Sequence, residues 1–79
     1  MTRRRASFHA VQRYRQRWRP DLSLNEAWHE LERHASDARL VGLTQDGCEV
    51  VQTRRGAVCI VARDGTIKTV LAPGQRVTA

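Results

Sequence analysis

The sequence predicts one small α+β domain, with two N-terminal helices followed by a four-stranded antiparallel β-meander. Three observations carry this. Apolar residues recur at helical spacing up to Ser36 and alternate with period two after Asp37. Pro20 and the segment Ser23-Leu24-Asn25-Glu26 divide the helical part in two. Turn residues at Thr44–Gly47, Arg54–Gly56 and Asp64-Gly65 divide the remainder into four short strands. With 79 residues there is room for one domain. A chain of this size buries only about 60–65% of its unfolded surface, so a thin core is expected.

Residues 1–6 read as a basic arm, 7–36 as the helices, 38–72 as the sheet and 73–79 as a frayed tail. The first helix takes Ser7 as its N-cap and runs to about Arg19. Ser7, Val11, Tyr14 and Trp18 form its apolar stripe. His9, Arg13 and Gln16 lie opposite, Arg17 lies at the flank beside Ala10, and Phe8 anchors the helix start. In the second helix the Ser23/Glu26 capping box comes with a Leu22–Ala27 staple. Leu24, Ala27, Trp28, Leu31 and Ala35 make its stripe, while Glu26, Glu30, Glu32 and Arg33 face water. Trp18 and Trp28 each end a stripe and read as core rather than as base-stacking platforms.

Strands are expected at 39–43, 48–53, 57–63 and 66–71. Arg54-Arg55-Gly56 suits a three-residue hairpin loop with Gly56 left-handed. A two-residue loop at Asp64-Gly65 pairs Ala62 with Ile67 and Ile60 with Thr69. Val58, Ile60, Ala62, Ile67, Thr69 and Leu71 then face the helices. Cys48 lies on that face and Cys59 on the other, which excludes a disulfide between them. Both cysteines read as small buried hydrophobes, and no zinc or other metal spacing accompanies them. No cofactor is implied.

The net charge of +6 is unevenly spread. Residues 1–20 hold seven arginines (Arg3, Arg4, Arg5, Arg13, Arg15, Arg17 and Arg19) and no acid. Residues 21–37 are acidic, with five acids against Arg33, and residues 38–79 are again basic. Thirteen of the fourteen basic residues are arginine, which forks onto phosphate and stacks on bases. Such density attracts phosphate backbones by counterion release. No apolar run reaches a membrane span and the N-terminus lacks a secretory h-region, so a cytoplasmic location is the default expectation.

Phe8-His9-Ala10-Val11-Gln12-Arg13-Tyr14 resembles the F-x-H-x-x-x-R opening of small bacterial and phage domains of the superfamily joining barnase, EndoU, the tRNase colicins and RelE. Ile67-Lys68-Thr69-Val70-Leu71-Ala72-Pro73 resembles their late strand, and the likeness spans roughly residues 7–73. The resemblance implies helix, helix, then a four-stranded antiparallel sheet, and a metal-independent endoribonuclease of toxin type. His9, Arg13 and Thr69 match its site positions. Leu71 stands where the superfamily often has an aromatic residue, which removes a base-stacking group.

The chemistry is consistent in kind. Metal-free RNA cleavage needs a proton shuttle, for which His9 is suited, and a cation beside the phosphate, for which Arg13 is placed about 40° around the helix. Arg54, Arg55 and Lys68 can add charge from the sheet. His29 and His34 are five apart rather than four and read as surface residues. One conflict stands: His9 and Arg13 lie opposite the core stripe, whereas catalytic groups face a cleft. Three functions remain open. The domain cleaves RNA, or binds RNA (before DNA) without cleavage, or is a phage-type inhibitor or adaptor docking on an acidic surface of a host or antitoxin protein.

Overall fold

A computed structural model describes residues 3–75. The element order is β1 (Arg5–Ala6), α1 (Phe8–Arg17), α2 (Leu24–Ser36), β2 (Arg39–Leu43), β3 (Glu49–Gln52), β4 (Val58–Val61) and β5 (Thr66–Val70). The sheet is five-stranded and mixed, in the order β1-β5-β4-β3-β2. Strands β2 to β5 form the expected antiparallel meander, and β1 adds to β5 in parallel. Among the described residues, no helix is long and apolar enough to cross a membrane.

The helix starts are built as their sequences dictate. The Ser7 side chain accepts from the Ala10 amide. Ser23 and Glu26 form the reciprocal capping box, and its hydrogen bonds hold the Glu26 carboxyl below the usual range. Ala10, Val11, Tyr14, Ala27, Leu31 and Ala35 meet the sheet residues Val51, Cys59, Val61, Ile67 and Val70 in one core, with Trp18 and Trp28 packed against it.

The basic arm ends in a strand, Arg5–Ala6, and its first two residues lie outside the described ones. The Arg5 amide donates to Gly65 O (3.1 Å) and the Ser7 amide to Ile67 O (3.2 Å). Edge pairing uses backbone groups alone, so a charged side-chain pattern does not forbid it. The last residues of the expected tail, 76–79, lie outside the described residues.

All three hairpins share one geometry, a three-residue loop whose last residue is a left-handed glycine. Gly47, Gly56 and Gly65 have φ of +88°, +94° and +91°. Their amides donate to Thr44 O, Thr53 O and Ala62 O, and the loops close as Thr44–Cys48, Thr53–Ala57 and Ala62–Thr66. The Arg54-Arg55-Gly56 loop is as expected, but Asp64-Gly65 is not a two-residue turn. Asp64 Oδ1 accepts from the Thr66 amide (2.9 Å), an Asx-turn that fixes the longer loop.

This shift exchanges the faces of β4. Val61 pairs with Ile67, and Lys68 is then an extra residue that restores the expected Ile60–Thr69 pair. Cys59, Val61, Ile67 and Val70 point into the helix-facing core, while Val58, Ile60 and Thr69 are only half-buried. Cys59 is therefore the core cysteine, and Cys48 is buried outside that cluster. The physical reason is that Val58-Cys59-Ile60-Val61 is apolar at every position, so alternation sets no phase.

Gly56 has open space where a Cβ would lie, so Gly56→Ala isolates the left-handed backbone cost. A loss of about 1–2 kcal/mol is expected, read as a lower urea midpoint at constant m-value.

Candidate nucleic-acid interface

Helix α1 lies along β5 and is pinned to it at both ends. Ser7 Oγ donates to Ile67 O (2.7 Å), Arg17 Nη1 to Val70 O (3.0 Å) and Trp18 Nε1 to Leu71 O (2.9 Å). Ala10, Val11 and Tyr14 are the buried residues of the helix. Arg17 is thus on the flank that meets β5. Arg13 lies about 40° further toward solvent and is half-buried, and His9 another 40° round and exposed. Phe8 and Arg15 occupy the other flank, toward α2. The Phe8 ring lies 6.3 Å from that of Trp28, and Arg15 Nε donates to Leu22 O (2.6 Å). The helix packs through a flank-shifted stripe that takes in Ala10, which leaves Arg13 half-buried at the margin of that stripe.

The seven N-terminal arginines divide by task. Arg4 is 7% exposed. Its Nη1 donates to Ala35 O (2.8 Å) and Ala38 O (3.4 Å), its amide donates to Ser36 Oγ, and its Nη2 lies 3.7 Å from Glu49 Oε1. It caps the C-terminus of α2, where a cation also complements the helix dipole. Among the described residues its Nε is buried without a hydrogen-bond partner. A phosphate cannot reach it in the folded chain, so its assignment to nucleic-acid contact is replaced by a structural one.

Arg19 is largely used as well. Nη1 contacts both oxygens of Glu30 (2.8 and 3.0 Å), and Nη2 and Nε contact Asp21 at 3.2 Å. The pairing holds Asp21 below the usual carboxylate range, with its hydrogen bond to Arg19 the largest cause. Glu30 also accepts the Tyr14 hydroxyl. Glu32 accepts from the Ala6 amide (2.8 Å) and from Trp28 Nε1 (3.3 Å). Two of the three α2 acids expected to face water, Glu30 and Glu32, therefore fasten the helix to α1 and β1, while Glu26 is exposed as expected.

Five N-terminal arginines remain at the surface. Arg3, Arg5 and Arg15 are exposed, and Arg13 and Arg17 are half-buried. Among the described residues the Arg13 side chain hydrogen-bonds only to Gln16 Oε1 (3.4 Å), and α1 carries no acid.

The three catalytic candidates are not joined. Among the described residues His9 and Thr69 make no side-chain hydrogen bond. Thr69 pairs with Ile60 on the sheet face away from the helices, and His9 is exposed on α1. Lys68, next to Thr69, is exposed and 3.8 Å from Cys48 Sγ. Arg54 and Arg55 lie in the β3–β4 loop and line a cleft with α2 residues Arg33 and His34. Sequence reasoning missed Arg33 and Arg39 as members of that basic region, because Arg33 reads as a water-facing helix residue and Arg39 as the first residue of a strand. No group of three or more metal-ligating side chains occurs among the described residues. No protein-family model, curated protein or solved structure matches the chain.

Proposed function

We propose that the domain binds RNA phosphates through the exposed flank of α1 and the adjoining β1, without cleaving the strand. The observation that carries this is the acid-free surface of α1. Arg3, Arg5, Arg13 and Arg17 remain at the surface for this face after Arg4 and Arg19 are withdrawn, with Arg15 on the opposite flank toward α2. Arginine in such density contacts backbone oxygens without sequence preference. Catalysis is less well supported. The endoribonuclease reading implied by the superfamily resemblance needs His9, Arg13 and Thr69 around one phosphodiester, and no hydrogen bond assembles them.

Incubation of nuclease-free protein with end-labelled RNA in chelator tests this. Retention of intact RNA is expected, with His9→Ala and wild type equal. Metal-independent cleavage that His9→Ala abolishes would replace the binding reading with the catalytic one.

One observation favours an adaptor. Leu40, Val41 and Leu43 on the outermost strand β2 are 55%, 47% and 66% exposed. An apolar edge strand of this kind suits a protein partner, and the basic helix suits an acidic one. A single partner that survives nuclease treatment and is lost in Leu43→Lys would favour that reading.

A further inference from the structure

A second basic surface lies apart from α1, where the C-terminal end of α2 meets the β3–β4 hairpin. Two adjoining clefts share Asp37 and Arg54. Arg33, His34 and Arg55 line one, and Arg39 lines the other. All four arginines are exposed, and none makes a side-chain hydrogen bond or ion pair among the described residues. Contrast Arg4 and Arg19, each fixed by acceptors on the protein. Asp37 is the acid that lines the two clefts and Glu30 lies next to them beside Arg33 and His34, so four guanidinium groups outnumber the two carboxylates.

Unpaired like charges in one concavity repel one another, and an entering anion relieves that repulsion. Guanidinium prefers flat, multidentate oxygen acceptors, which phosphate offers. The scaffold is defined. The Arg54-Arg55 tip is held by the Thr53–Ala57 closure and the left-handed Gly56, and Thr53 Oγ1 accepts from the Ala57 amide (3.1 Å). Burial holds the His34 imidazole below its ordinary pKa, so arginine supplies the charge near neutral pH while imidazole offers a neutral hydrogen-bonding group.

The geometry points to a phosphate-binding site at this junction, formed by Arg33, Arg39, Arg54 and Arg55 and separate from the α1 surface. The phosphate is that of an RNA strand spanning both surfaces or of a small phosphorylated ligand. Only the first source rests on the RNA reading above.

Two arms separate the sources. In the first, anisotropy of labelled single-stranded RNA is followed against salt for wild type, Arg54→Gln/Arg55→Gln and Arg13→Gln. The double variant is expected to flatten the log K against log salt slope by about 1.4, since each phosphate contact on a single strand contributes about 0.7. In the second, inorganic pyrophosphate is titrated into labelled full-length protein, and the amides of Asp37 and Thr53–Gly56 are expected to shift. Both substitutions are at an exposed loop tip, and a thermal melt equal to wild type certifies the fold. An unchanged slope together with still amides overturns the site. If Arg13→Gln flattens the slope in that case, the α1 reading stands alone. Wild type that ignores RNA overturns the α1 reading, and moving or still amides then uphold or overturn the site as one for small phosphorylated ligands.

Discussion

Between pH 9 and pH 12 the domain is expected to lose stability steeply. Burial pushes the Cys59 thiol up from its ordinary 9.0 to about 12. The Tyr14 phenol is also raised well above its ordinary value, first by burial and then by its hydrogen bond to the Glu30 carboxylate. In the unfolded chain both groups release protons at their ordinary values, while the fold retains them. The stability tied to each is therefore whole below the unfolded value and lost as pH rises through the folded one. Each contributes a slope of about 1.4 kcal/mol per pH unit over its window. A domain of this size has about 4–12 kcal/mol in total, so the two groups together remove a large share of it by the top of that window. Urea midpoints at pH 8, 10 and 11 measure it, and Cys59→Ala should make the fall shallower. A midpoint constant from pH 8 to pH 11 would contradict the burial of these two groups.

Arg4→Ala is expected to cost about 2–3 kcal/mol while leaving RNA affinity per folded molecule unchanged. The guanidinium donates to Ala35 O at 2.8 Å in a buried setting and faces Glu49 at 3.7 Å. Hydrogen bonds to charged groups contribute about 1.5–3 kcal/mol, and truncation also leaves the α2 carbonyls without a donor. Arg4→Lys should restore only part, because a single ammonium cannot reproduce the fork. Urea unfolding gives the first quantity and the salt dependence of RNA binding the second. A variant as stable as wild type, or one that loses affinity as Arg13→Gln does, would contradict the structural role.

Arg4 also marks where the sequence stops being legible. Seven arginines in twenty residues look alike as letters. Only the fold reveals that Arg4 ends under α2 and Arg19 between Asp21 and Glu30. Both depend on contacts between distant segments, which local pattern does not encode. Where the signal is local, it reads well. Ser7, the Ser23/Glu26 box, the α2 stripe and the Gly56 loop are all as their residues dictate. The phase of β4 is not local, since it depends on loop length and on the extra residue Lys68. One available signal was the nine-residue spacing of Gly47, Gly56 and Gly65, which marks three hairpins of one geometry and argues against a shorter loop at Asp64. Strand β1 gave no signal, because two residues carry no periodicity. The candidate site was half legible. Arg13 and Arg17 share a flank as helical spacing requires, whereas the meeting of Arg33 and Arg39 with Arg54 and Arg55 is tertiary.

The most direct measurement is the affinity of nuclease-treated protein for a labelled single-stranded RNA between 25 and 200 mM salt. Four phosphate contacts give a log–log slope of about −3, reduced by about 0.7 in Arg13→Gln. That steep, arginine-dependent decline is the expected result. Absence of binding at the lowest salt, or affinity indifferent to salt, would contradict phosphate recognition by α1.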